Sequence, residues 1–268
     1  MKTLNVANHR IAYHDNGNSA KPIVFIHGNS LSAESFKFQL EDRDLNRYRL
    51  IALDLPGHGS SEPSNQKDAV YSAQGYGKII REFADQLGLK EAVFVGHSLG
   101  GHILLGIAEE LTEAAGFVIF GTPPLGIPPE MTKYFLPNPD ILLAYKRDLN
   151  DEEVNTLAHA YVRKGTDAPG AILTSIRGAD PDVRPYIGAN LVPERLNNEV
   201  EIVKQLNKPI AIFHGEDDQL VNGAYIAELE IPTLWKSAVQ LIPDAGHSPQ
   251  LEKPAVFNSL LTEFIDTL

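Results

Sequence analysis

The chain has no cysteine among its 268 residues, and only one tryptophan and two methionines. Without thiols there can be no disulfide framework, thiolate zinc site or cysteine nucleophile, so any covalent chemistry falls to another side chain. Positive charge is also scarce, with 23 Lys and Arg against 35 Asp and Glu for a formal balance of −12. Such a surplus repels phosphate backbones and anionic lipid, which argues against nucleic acid or membrane as partners and fits a solvated surface. No stretch approaches the ~20 apolar residues of a membrane span, and the opening MKTLNVANHRIAYHDNGN lacks the apolar run of a secretory signal, so a cytoplasmic protein is expected. Apolar residues are plentiful at 43%. A chain of this length buries roughly 70–75% of the surface its unfolded form exposes, which suits one large domain with an insertion better than two unrelated domains.

Short β-rich runs alternate with helical ones. Thr3–Val6 and His9–Tyr13, separated by Ala7 and Asn8, predict an opening hairpin. Pro22–Ile26 and Arg49–Leu53 are dense apolar runs of strand length, as expected where both faces of a parallel sheet are covered. Ala92–Val95 and Phe117–Phe120 repeat the pattern, and Pro209–Phe213 and Val239–Ile242 resume it later. Crossover helices are expected around Glu34–Leu40, over Gln74–Leu87 with Gly88 as its stop, and from Leu99 to Leu111. A last helix over Ala255–Leu268 should turn Val256, Leu260, Leu261, Phe264 and Ile265 to the core. Strand and helix in alternation predict an α/β fold with a doubly wound, mostly parallel sheet. The rhythm stops where six of the 18 prolines fall between Pro123 and Pro139, a segment that can be neither a central strand nor a helix interior. Val154, Leu157, Ala158, Tyr161 and Val162 then form a helical stripe. Residues 123–206 are therefore read as an inserted helical cap, with 1–122 and 207–268 as the core.

The sharpest motif is Gly96-His97-Ser98-Leu99-Gly100-Gly101, set between a strand and a helix. A serine on so tight a turn needs glycine two residues to either side before its hydroxyl can project above the sheet. The helix N-terminus beneath it offers unpaired N–H groups to a developing oxyanion. Together with His27-Gly28-Asn29-Ser30 after the third strand and Asp54-Leu-Pro-Gly-His-Gly-Ser-Ser61 after the fourth, this arrangement resembles the α/β-hydrolase superfamily. The likeness spans all but the cap and implies the α/β-hydrolase fold, a mostly parallel sheet flanked by helices.

A serine nucleophile needs a base held in one tautomer by a carboxylate. The family's chain order places a histidine near the C-terminus, which His247 in Asp244-Ala-Gly-His-Ser-Pro-Gln250 matches, and an acid after a late strand. Glu216, Asp217 and Asp218 are equivalent by chemistry alone, and the family's G-x-x-D spacing from Gly215 implies Asp218, with Asp217 as the alternative. The resemblance also assigns an oxyanion hole to the backbone N–H groups of Asn29 and Leu99, with the Asn29 side chain and the Ser30 hydroxyl as further candidate donors. Ser30, His97, Tyr134 and Tyr161 are candidates for the substrate pocket, alongside Phe135, Leu142 and Tyr145. There is no GxxxxGK[ST], no HExxH, and no third glycine after Gly57-His-Gly59, so neither metal nor cofactor is expected. Serine at the elbow sets the chain apart from relatives with Asp there. Its combined motifs look most like the N-acyl homoserine lactonase and carboxylesterase branch, whose lactonase carries Trp at the position of His97 and Glu at that of Asp218. The resemblance implies hydrolysis of a small neutral ester or lactone through an acyl-enzyme, with N-acyl homoserine lactones as the specific candidates. A carbon–carbon bond hydrolase and a ligand-binding receptor on the same fold are the alternatives.

Overall fold

Neighbouring residues along the central strands go to opposite faces of the sheet, and both faces are buried, which is why these strands read as unbroken apolar runs. Ile23 and Phe25 join one apolar cluster with Leu50, Ala52, Val93 and Val95, while Val24 and Ile26 join another with Ile51, Leu53 and Phe94. The computed structural model describes residues 1–268. Its eight strands are β1 (Lys2–Val6), β2 (His9–Asp15), β3 (Pro22–Ile26), β4 (Arg49–Leu53), β5 (Val93–His97), β6 (Gly116–Phe120), β7 (Ile210–Gly215) and β8 (Gln240–Ile242). They form one sheet in the order β1-β2-β4-β3-β5-β6-β7-β8. The strands from β4 to β8 in that order are parallel. The opening hairpin is antiparallel, and β2 joins the sheet antiparallel to β4, with Tyr13 opposite Leu53.

Strand order reverses around β3, which has β4 on one side and β5 on the other. Loops leaving the carboxyl ends of β3 and β5 therefore start from adjacent strands and part company, and the crevice between them is where open α/β sheets bind ligands. The His27–Ser30 loop and the Ser98 elbow both begin there.

The helix Ala73–Leu87 begins where the Ser72 side chain accepts the Gly75 N–H and stops at Gly88, whose φ of 60° is left-handed. Two expected elements differ from the sequence reading. Glu34–Leu40 is a 3₁₀ turn, Ala33–Phe36, running into a single α turn, Lys37–Leu40. In the last helix, Pro254–Ile265, it is Phe257 that is fully buried, and Val256 is exposed. Between β6 and β7 the chain adds no strand to the sheet but forms helices, among them Asp151–Ala160, Gly170–Gly178, Val183–Ala189 and Glu199–Gln205. Asn150 and Glu153 close a capping box at the start of Asp151–Ala160. Val154, Leu157, Ala158, Tyr161 and Val162 carry the larger apolar cluster into this segment. No helix is long and apolar enough to cross a membrane.

Candidate active site

Ser98 sits at φ 51° and ψ −115° between β5 and the helix Leu99–Ile107. A non-glycine residue holds such a conformation only where its surroundings over-determine it, at a cost of about 1–3 kcal/mol. Here the Ser98 N–H donates to the Phe120 carbonyl at 2.9 Å. Its own carbonyl accepts from the N–H groups of Gly101 at 2.9 Å and His102 at 3.2 Å, and from Thr122 Oγ1 at 2.9 Å. The flanking glycines are needed for close approach, since a Cβ on Gly96 would lie 2.6 Å from the Gly100 carbonyl oxygen and one on Gly100 2.3 Å from that of Ile26. The strained turn leaves the Ser98 hydroxyl without a protein partner, facing a cavity.

Loops after β7 and β8 bring Asp218 and His247 together. His247 Nδ1 donates to Asp218 Oδ2 at 2.9 Å, and both side chains are almost fully buried. Asp218 Oδ1 accepts the N–H groups of Leu220 at 2.8 Å and Val221 at 3.2 Å. Burial pushes the Asp218 carboxyl up, but the His247 ring, its hydrogen bond, His214 and the Leu220 N–H together outweigh that and hold it below the usual carboxylate range. With Nδ1–H committed to the carboxylate, a neutral ring has Nε2 free as an acceptor, and His247 lines the same cavity as Ser98. Asp217 takes another course: its carboxylate is half-exposed and pairs with Arg163 at 2.8 Å.

The backbone N–H groups of Asn29 and Leu99 have no acceptor within the protein, and both residues line the cavity. Polar contacts from two buried histidines brace the loop that carries Asn29. His27 Nε2 accepts the Leu55 N–H at 3.0 Å while Nδ1 donates to the Gly28 carbonyl at 2.8 Å. His58 Nε2 accepts the Ser30 N–H at 3.2 Å. Asp54 holds the neighbouring turn by accepting N–H bonds from Ala33 at 2.8 Å and Ser60 at 2.9 Å.

The cavity holds about 330 Å³ and is lined mostly by apolar side chains, with Tyr161, Tyr145, Phe135 and Leu142 among them. Three residues expected in its wall lie elsewhere. Ser30 is fully buried, with its hydroxyl donating to Asn29 Oδ1 at 3.2 Å. His97 lies behind the elbow, its ring stacked 4.7 Å from that of Phe120 and its Nε2 donating to the His247 carbonyl at 2.8 Å. Tyr134 is buried, and its hydroxyl accepts the Gly126 N–H at 3.1 Å. One of the two Asn29 Nδ2 hydrogens is committed, donating to the Ala144 carbonyl at 2.9 Å and joining the loop after β3 to the segment between β6 and β7.

Sequence reading missed several residues here. Glu252 accepts N–H bonds from Gly246 at 2.9 Å and Ser248 at 3.3 Å, on either side of His247, and from Arg163 at 2.6 Å. Burial pushes its carboxyl up. Its only signal in the sequence is a carboxylate five positions after the histidine. His102, Asn197 and Glu199 also line the cavity, and their separation in the chain hid them. No group of three or more His, Asp or Glu side chains is arranged to hold a metal ion.

These parts follow one another along the chain as they do in a known family, and the model of the alpha/beta hydrolase family matches residues 23–260. The chain belongs to the alpha/beta hydrolase family. This alpha/beta hydrolase is similar to a mutant of the N-acyl homoserine lactonase AidH solved with N-hexanoyl homoserine lactone, at 32% identity and a TM-score of 0.92, covering 98% of this chain and 96% of that one. It is 27% identical to the non-heme chloroperoxidase of Burkholderia pyrrocinia over 96% of each chain. It is also 26% identical to the dihydrolipoyllysine-residue acetyltransferase component of the acetoin cleaving system of Cupriavidus necator, where it covers 96% of its own length and spans 66% of that protein.

Proposed function

We propose that this alpha/beta hydrolase cleaves carboxylic esters or lactones through an acyl-enzyme intermediate on Ser98. The observation that carries the reading is the 2.9 Å Asp218–His247 hydrogen bond set against a strained, unpaired serine in one cavity. In this reading His247 Nε2 takes the Ser98 proton as Oγ attacks the substrate carbonyl, and Asp218 stabilises the imidazolium that results. The oxyanion of the tetrahedral intermediate takes the N–H groups of Asn29 and Leu99, which are preorganised and already without partners. The imidazolium then gives its proton to the leaving alkoxide, and a water activated by the same ring releases the acid. In a lactone the leaving alkoxide stays attached, so the product is a single hydroxy acid.

Residues 123–206 act in this reading as the cap, supplying Phe135, Leu142, Tyr145 and Tyr161 to the cavity wall. An apolar cavity in a chain of charge −12 suits a neutral acyl group better than an anion. N-acyl homoserine lactones are the specific candidates, supported by the likeness to AidH across almost the whole chain. The test is a panel of linear acyl esters and acyl homoserine lactones of varied chain length, with products identified by mass. Release of acids or hydroxy acids is expected, with the highest kcat/KM on a homoserine lactone. Equal rates on every lactone and linear ester would remove the lactone preference, and no release from any would remove the hydrolase reading.

A further inference from the structure

The helix that follows Ser98 carries a second imidazole–carboxylate pair into the same cavity. His102 stands four residues after Ser98 on the first turn of the helix Leu99–Ile107, its N–H donating to the Ser98 carbonyl at 3.2 Å. Its Nδ1 lies 2.8 Å and 3.0 Å from the two carboxylate oxygens of Glu199. Glu199 is 4% exposed and is itself fixed, accepting the Leu125 N–H at 2.9 Å. A carboxylate only accepts, so Nδ1 is the donor, and a neutral His102 ring presents Nε2 as an acceptor that no protein group uses. One turn beyond, a Cβ on Gly106 would lie 2.4 Å from Asn197 Nδ2, so the Asn197 carboxamide rests against the bare backbone of that glycine. Its side chain also makes no hydrogen bond within the protein, and His102, Asn197 and Glu199 all line the cavity that holds Ser98.

The nearby polar residues are already committed. Asn190 Nδ2 donates to the carbonyls of Tyr71 and Tyr186, Arg195 reaches Asp68 and Asn190, and Ser72 accepts the Gly75 N–H. His102 Nε2 and the Asn197 carboxamide are therefore the polar groups left without protein partners on this side of the cavity that holds Ser98.

We propose that His102 and Asn197 form a subsite for a secondary amide in the acyl part of the substrate, close to the scissile carbonyl. The amide N–H donates to His102 Nε2 and the amide carbonyl accepts from Asn197 Nδ2. Glu199 acts as a positioning residue that fixes the His102 tautomer. A secondary amide offers one donor and one acceptor, matching the two open groups, whereas an unsubstituted acyl chain leaves both desolvated without partners. The subsite rests on the hydrolase reading above and adds to it a preference for acylamino esters or lactones over plain fatty-acyl ones.

The experiment compares methyl N-hexanoylglycinate with methyl nonanoate, two neutral esters of matched chain length that differ in the amide. Wild type is expected to favour the amide ester by about tenfold or more in kcat/KM. Asn197→Leu removes no internal hydrogen bond, whereas His102→Phe removes the open acceptor together with the partner of the buried Glu199; with thermal midpoints measured alongside, each should bring the ratio toward one by lowering kcat/KM on the amide ester more than on methyl nonanoate. Equal losses on both esters would show that the pair only holds the cap to the core and would overturn the subsite. An unchanged ratio in Asn197→Leu and His102→Phe would overturn it as well. No turnover of either ester by wild type would instead count against the hydrolase reading, and the subsite would fall with it.

Discussion

Ser98→Ala is expected to lower ester and lactone turnover by about 10⁴-fold or more while leaving the protein folded. The hydroxyl makes no hydrogen bond in the resting protein, so its loss leaves no buried group unpaired. Alanine keeps the Cβ that already tolerates a φ of 51°, and the bonds that hold this turn are made by the Ser98 backbone, not by its hydroxyl. His247→Ala should cost a comparable factor. The double variant should be little worse than either alone, because nucleophile and base act as one unit. Steady-state rates on a responsive ester, with thermal midpoints measured alongside, check both statements. Full activity in Ser98→Ala would remove the nucleophile from the account.

Acid should unfold the protein well before its carboxylates are all protonated. Burial holds His27, His58, His97 and His214 below the ordinary imidazole range, with His58 and His97 the furthest down. The contacts agree with neutral rings, since Nε2 of His27 and of His58 each accept a backbone N–H, and a protonated ring would set donor against donor. In the unfolded chain these histidines take up protons as pH falls through about 6.5, while in the folded chain they stay neutral. The unfolded state therefore binds more protons below about pH 6.5, and stability drops as pH decreases from there toward the folded values. Each such histidine contributes roughly 1 kcal/mol per pH unit inside that window. Stability is therefore expected to fall on going from about pH 7 to about pH 5. Urea unfolding across that range should show the midpoint falling steadily with pH. A midpoint flat down to about pH 5 would mean that these rings are protonated in the folded state.

The strands buried on both faces were the most legible part of the fold. Pro22–Ile26 and Arg49–Leu53 are strands over the same residues that the apolar runs mark, because a parallel strand between two layers of helix admits almost nothing polar. Antiparallel pairing of β2 with β4 was not legible, since it depends on a partner in the sheet and not on a run of residues. Phe257 takes the inward place expected of Val256 because Phe257, Leu261, Phe264 and Ile265 recur at i, i+4, i+7 and i+8 on one helix face, and Val256 falls outside it. Ser98, Asp218 and His247 stood out because strained turns and strand ends have sequence signatures. The cavity wall stood out only in part: Phe135, Leu142, Tyr145 and Tyr161 were named from the sequence and line it, while His102, Asn197 and Glu199 come from separate parts of the chain. His97 adjoins the serine in sequence yet points away behind the elbow, whereas Glu199, about a hundred residues distant, reaches His102. Alternation along a strand puts sequence neighbours on opposite faces, so adjacency to Ser98 argued for the wrong side of the sheet.

The most direct test of the account is intact-mass spectrometry of the protein quenched in acid during steady-state turnover of a p-nitrophenyl acyl ester, whose good leaving group makes acylation fast so that the acyl-enzyme accumulates, followed by peptide mapping. The account predicts one adduct per chain, with the mass of the acyl group, on the peptide that carries Ser98, and no adduct in Ser98→Ala. Product formation with no adduct in the wild type, or an adduct on any other residue, would contradict it.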